Sequence, residues 1–367
     1  MTSGRQNQVA WQRQPHNRVR RLRLVSPCDV TYALAALFLS GMQLIPPSLR
    51  VCVINRVCES LSGFLYTVNA HSTRTIRQNL KAVSGRGSPS DGIADGVVAA
   101  PRDGGYERFN RGADGVERDV RRLLSMTIWN SLVIHALPAL TKQQIVNLVP
   151  VDGLSCLDDH LAAGRPVLVW CYHFGVHHLI VAALLHARGY PIHVVAHALH
   201  MPAGASVFQR FYLRRLQRIS GQFPMIDPQE GPERTMLDVF RSKQCLCITP
   251  DYMIPEAQPR SAFEVPVDFL GHRACLHTGG LRLAKRFHAG VVTILSVQQD
   301  DHERRLIVEP FDLPTVGFTP VELQRDLQMC MQRLEAQVLA YPCLWWDLKR
   351  DDLLERLEVI PCDDQPA

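Results

Sequence analysis

Pro166-Val-Leu-Val-Trp-Cys-Tyr172 is a continuous apolar run of strand length, and His173-Phe-Gly-Val-His-His178 follows it directly. A strand that is apolar at every position, rather than every second one, is buried on both faces, as in a parallel sheet covered by helices. Residues His178 to Arg188 then take helical spacing and close at Gly189. In open α/β sheets, sites form outside the carboxyl ends of strands. That rule makes His173 the first chemical candidate. A His there lies near the N–H groups of a helix start, where developing negative charge is stabilised.

The same alternation continues on either side of this stretch. Further strands are read at 191–196, at 244–249 running into Pro250-Asp251, at 291–297 and at 306–309. Helices are read from 154 to just before Gly164, and at 207–219, 233–240, 278–287 and 320–340. Repeated β–α order predicts an α/β fold, a single mostly parallel sheet flanked by helices, over residues 117–360. A helix beginning at Glu117 and ending near Pro138 leads into it.

The N-terminal part reads differently. Arg5, Arg13, Arg18, Arg20, Arg21 and Arg23 all precede the first acid, Asp29, so residues 1–29 form a basic tail. Val30 to Leu49 carries no charge and runs into Pro46-Pro47. The segment is short for a bilayer span. It fits an interfacial or re-entrant helix at the cytoplasmic face, with the arginines on anionic head groups. The alternative is a buried core helix behind a tail. Leu49 to Tyr66 places Val53, Val57, Leu61 and Leu65 on one helical stripe. Residues 30–82 are therefore expected to be membrane-associated helices. Residues 83–116, rich in Gly, Ser, Asp and Pro, are expected to be a flexible surface insertion.

Composition narrows the class. An apolar share of 46% and a charged share of 20% describe an ordinary folded chain and exclude global disorder. A net charge of +5 over 367 residues is small for a dedicated nucleic-acid binder. The 11 cysteines form no CxxC pair, which fits buried thiols in a reducing compartment rather than a disulfide framework.

Six segments in order resemble the lysophospholipid acyltransferase superfamily, in particular its lipid A lauroyl/myristoyl acyltransferase branch. His173-Phe-Gly-Val-His-His-Leu179 is similar to that branch's His-Phe-Gly-Asn-Trp-Glu-Leu at His, Phe, Gly and Leu. Arg77-Gln-Asn-Leu80 resembles its Arg-x-Asn-Leu, Thr249-Pro-Asp251 its Pro-Asp strand end, and Val265 to Gly271 its Val-x-Phe-Phe-Gly. His277-Thr-Gly-Gly-Leu-Arg-Leu-Ala284 resembles its Thr-Gly helix start. Tyr341-Pro-Cys-Leu-Trp-Trp-Asp-Leu-Lys-Arg350 resembles its closing Pro-x-x-Trp-x-Trp-x-x-x-Arg. The resemblance implies transfer of a fatty acyl group from an acyl carrier protein or coenzyme A thioester to a hydroxyl or amine of a lipid or amphiphilic acceptor. It also implies a membrane surface as partner and no metal or organic cofactor.

The resemblance makes His173 the general base and assigns the second catalytic position to a carboxylate. His178 stands there instead. Three readings follow: His178 orients His173 by accepting from its Nδ1–H, Asp251 supplies the charge, or the site is a degenerate binding site. An acyltransferase acting on a secondary metabolite or peptide is a further alternative. Arg210, Arg214 and Arg218, spaced at i, i+4, are candidates for an acceptor phosphate or head group. Gly175, Thr278 and Gly279 are candidates for close approach to substrate, and Thr278 alternatively for a helix N-cap. Trp345 and Trp346 are read as packing. A zinc site on His173 and His177 requires both on one helix.

Overall fold

A computed structural model describes residues 41, 44–68, 70–84, 113–196, 223–228, 231–251, 263–298, 304–313, 315–351 and 353. Three helices come first: α1 (Arg50–Val68), α2 (Ala70–Ser84) and α3 (Ala113–Ala136). A short α4 (Lys142–Val146) leads to β1 (Val151–Asp152), α5 (Ser155–Ala162) and β2 (Val167–Cys171). Then follow α6 (His178–Ala187), β3 (Ile192–Val195), β4 (Met225–Ile226), α7 (Glu233–Arg241) and β5 (Cys245–Ile248). The last third holds β6 (Glu264–Phe269), β7 (His272–His277), α8 (Gly279–Arg286), β8 (Gly290–Gln298), β9 (Arg304–Pro310) and α9 (Pro320–Ala340).

The sheet has seven strands in the order β1-β9-β8-β2-β5-β3-β4. Every pairing is parallel except β8 with β9. The apolar run that opened the sequence reading is the middle strand. Val167, Leu168, Val169 and Trp170 are fully buried, and burying each such side chain is worth about 1.5–3 kcal/mol. From β2 the chain crosses to β3 on one side of the sheet, and from β5 it crosses to β8 on the other. The carboxyl ends of β2 and β5 therefore flank the point where the winding reverses, the usual place for a crevice.

The register between these two strands fixes the site. Val167 pairs with Cys245 and Trp170 with Ile248. Continued past the strand ends, this alignment sets His173 level with Asp251. The β6–β7 pair forms a separate antiparallel hairpin turning at Leu270-Gly271, both at positive φ (52° and 75°). Helix α9 begins with a capping box, Thr319 with Glu322, and Pro320 in its first turn. Near its start Lys285 Nζ meets Asp326 Oδ2 at 2.5 Å, both side chains almost fully buried, and also donates to Thr315 and Gly317 O.

The N-terminal expectation is corrected over its described part. Helices α1 and α2 pack into the core through Ile54, Cys58, Ile76, Leu80 and Val83. The buried stripe of α1 is centred on Ile54 and Cys58, one position round from the stripe expected, because Cys58 faces Ser125 of α3. Among the described residues no helix is long and apolar enough to cross a membrane. Helix α3 starts four residues before Glu117. Val30 to Ser40 and residues 85–112, which held the apolar segment and most of the expected insertion, lie outside the described residues.

Candidate active site

Asp251 grips His173 twice. Its Oδ2 accepts the His173 backbone N–H at 2.8 Å, and its Oδ1 lies 3.0 Å from the ring Nδ1. The carboxylate is fully buried and the imidazole about one fifth exposed. A carboxylate can only accept, so the ring proton sits on Nδ1 and Nε2 keeps its lone pair. Burial opposes a charge on this ring. The Asp251 charge and hydrogen bond, with Asp347 adding to them, outweigh that effect and raise the His173 pKa above the ordinary imidazole value.

The turn that carries His173 is held from three sides. Gly175 adopts φ +64°, and a Cβ there would lie 2.2 Å from Ser296 Cβ, so both conformation and space call for glycine. Ser296 Oγ accepts the Val176 N–H at 2.8 Å. Asn130 of α3 donates to Gly175 O at 2.8 Å and accepts the His177 N–H at 3.0 Å. Trp346 Nε1 donates to the same Gly175 carbonyl at 2.9 Å, and its backbone N–H donates to His173 O. Phe174 and Trp345 form an isolated antiparallel bridge beside it. Trp346 thus belongs to the site, while Trp345, fully buried, is core packing as expected.

His178 does not take the orienting role. The His173 Nδ1 is engaged by Asp251, and the two imidazoles meet edge to face with centroids 5.9 Å apart. His178 is the first residue of α6, and its buried Nδ1 has no hydrogen-bond partner among the described residues. Burial, helped by the neighbouring His173, lowers its pKa to about 3, so it stays neutral. His177 caps α6 with its own side chain, Nδ1 accepting from Leu179 N–H at 3.1 Å. The helix begins only at His178, so His173 and His177 are not an i, i+4 pair on one helix, which the zinc alternative required. Among the described residues no group of three His, Cys, Asp or Glu side chains is placed to hold a metal ion.

Gly175 is thus a turn residue under His173. Thr278 is fully buried, but its hydroxyl does not cap α8: it donates to Phe263 O at 2.8 Å and accepts from Arg282 Nε at 2.9 Å. Gly279 faces open space, whereas a Cβ on Gly280 would reach within 2.2 Å of Ile248, so close helix–sheet packing falls on Gly280. Arg210, Arg214 and Arg218 lie outside the described residues.

Asn130, Ser296, Asp347 and Lys349 were not anticipated. Each reaches the site from a distant part of the sequence; Asn130 and Ser296 carry no local motif, and Asp347 and Lys349 fall at unspecified positions within the Tyr341–Arg350 segment. Asn79, within the Arg-Gln-Asn-Leu segment, donates to Leu348 O and Arg350 O at 2.9 Å each. Two motifs remote in sequence are therefore one contact.

A family model described as bacterial lipid A biosynthesis acyltransferase matches residues 123–349, from within α3 to Lys349. No curated protein matches the chain.

Proposed function

From the premise that this chain belongs to the bacterial lipid A biosynthesis acyltransferase family, we propose that it moves a fatty acyl group from a carrier-protein or coenzyme A thioester to a hydroxyl or amine of an amphiphilic lipid acceptor. The observation that carries the reading is the His173–Asp251 contact at the switch point of the sheet. His173 Nε2 takes the proton from the acceptor as its oxygen or nitrogen attacks the thioester carbonyl. A tetrahedral intermediate forms, then collapses with cleavage of the carbon–sulfur bond. The imidazolium returns its proton to the departing thiolate. Asp251 holds the ring in the Nδ1–H tautomer and offsets the imidazolium charge, the part an Asp plays in a hydrolase triad. His178 adds no charge and stands beside the base as a buried, neutral ring.

The catalytic carboxylate then stands just past the carboxyl end of β5 rather than at the fifth position after His173. The substitution at 178 is then compatible with turnover. A place at the cytoplasmic membrane surface is part of the proposal; the Arg-rich tail and the exposed Leu44, Leu49 and Phe64 support it. The test is transfer of a radiolabelled acyl chain from acyl carrier protein or coenzyme A to a lipid extract. Loss of transfer in His173→Ala is the expected result. Undiminished transfer in that variant, or none by the wild-type chain from either donor, overturns the proposal.

A further inference from the structure

We propose that Lys349 holds a phosphate group of the substrate beside His173, an inference that rests on the acyltransferase reading and names part of what the site recognises. Lys349 closes the 3₁₀ turn Trp346–Lys349, and its Nζ stands 5.5 Å from the centre of the Trp346 ring. The same indole lies 5.9 Å from the His173 ring and 4.6 Å from that of His177. Its N–H is pinned to Gly175 O, so it cannot swing away. One fixed aromatic plate therefore carries the proposed base and a cation.

The ammonium has no hydrogen-bond or ion-pair partner within contact among the described residues. Asp347, the anion that most favours its charge, pairs with Arg350 Nη1 at 3.7 Å. Burial keeps His177 neutral, and the Lys349 charge adds to that effect. Burial lowers the Lys349 pKa to about 8. Lys349 is half-buried, and a partly desolvated cation held against an indole without a carboxylate on it is open to an anion. An entering phosphate ester supplies both the charge and the acceptor oxygens, and lysine binds phosphate as a point charge. The phosphate can come from the lipid head group or from the carrier arm of the thioester donor.

Two measurements on the full chain test this. Lys349 acetylation by acetic anhydride is followed by mass spectrometry with and without inorganic phosphate. Phosphate is expected to slow modification of Lys349 several-fold while exposed lysines such as Lys142 react as before. In acyl transfer, Lys349→Gln is expected to raise one KM about tenfold, the size of one charge-assisted contact, with kcat within about twofold and partial rescue by Lys349→Arg. A rise in the acceptor KM assigns the phosphate to the lipid, and a rise in the thioester KM assigns it to the carrier arm. Lys349 modification indifferent to phosphate, or two unchanged KM values, overturns the inference. The protection measurement needs no turnover, so its failure is separate from a failure of acyl transfer itself.

Discussion

His173 and Asp251 divide the chemistry cleanly enough to be tested one atom at a time. Asp251→Asn keeps the shape but offers an amide that can present N–H to the ring, so the wrong tautomer is favoured. Its kcat is expected to fall by about 10⁴, as for the analogous triad substitution, with KM little changed. The pH profile supplies a second test. Transfer needs neutral His173, so kcat/KM rises with pH through the pKa of that ring, which Asp251 holds above the ordinary imidazole value. Asp251→Asn removes the raising charge and moves that limb to lower pH. Stability has the opposite sense. A raised folded-state pKa contributes stability that is fully present below the unfolded value and is lost as pH rises through the folded one. His178→Gln is expected to leave the position of the limb unchanged, because His178 is already neutral across that range.

At the scale of elements, the buried Lys285–Asp326 pair ties α9 to α8, and Lys285 also holds the segment ahead of α9 through Thr315 and Gly317 O. Lys285→Met leaves Asp326 buried with its charge unmatched, and a loss of about 3–5 kcal/mol is expected in denaturant unfolding. The double variant Lys285→Met with Asp326→Leu should recover much of it. The α2–α3 contact has its own signature. Arg77 and Tyr66 hydrogen bonds hold Glu117 down to about 2. Its contribution to stability is present above the unfolded carboxylate value and declines as pH falls toward 2. Glu117→Gln is expected to flatten the acid limb of a Tm-against-pH curve over that window.

Across the whole molecule, distant segments meet at one turn. Asn79 on α2 holds Leu348 and Arg350, and that segment brings Trp346 to His173. Asn79→Ala is expected to raise hydrogen exchange at residues 345–350 and to lower kcat, although the side chain touches no reacting group. The same geography explains what the sequence disclosed. The parallel sheet, His173 and most helices were legible because buried strands and amphipathic helices have periods that a short window can read. Asp251 was visible as a strand-end acid, but its pairing with His173 depends on inter-strand register, which no window contains. Asn130 and Ser296 lie 45 and 120 residues from the backbone groups they bind, so no spacing announces them. The β6–β7 hairpin went unread because Leu270 stands where Asn, Asp or Gly usually marks such a turn. β1 and β4 are two residues each, too short for any period.

The alignment of β2 with β5 also makes catalysis a gauge of folding fidelity. Sliding one strand past the other by a single residue would displace the base from its acid by about 3.3 Å and turn successive side chains toward the opposite layer. Such a misthreaded chain would keep its helical content and much of its compactness. Circular dichroism would pass it as sound, whereas counting competent centres against total protein would expose it.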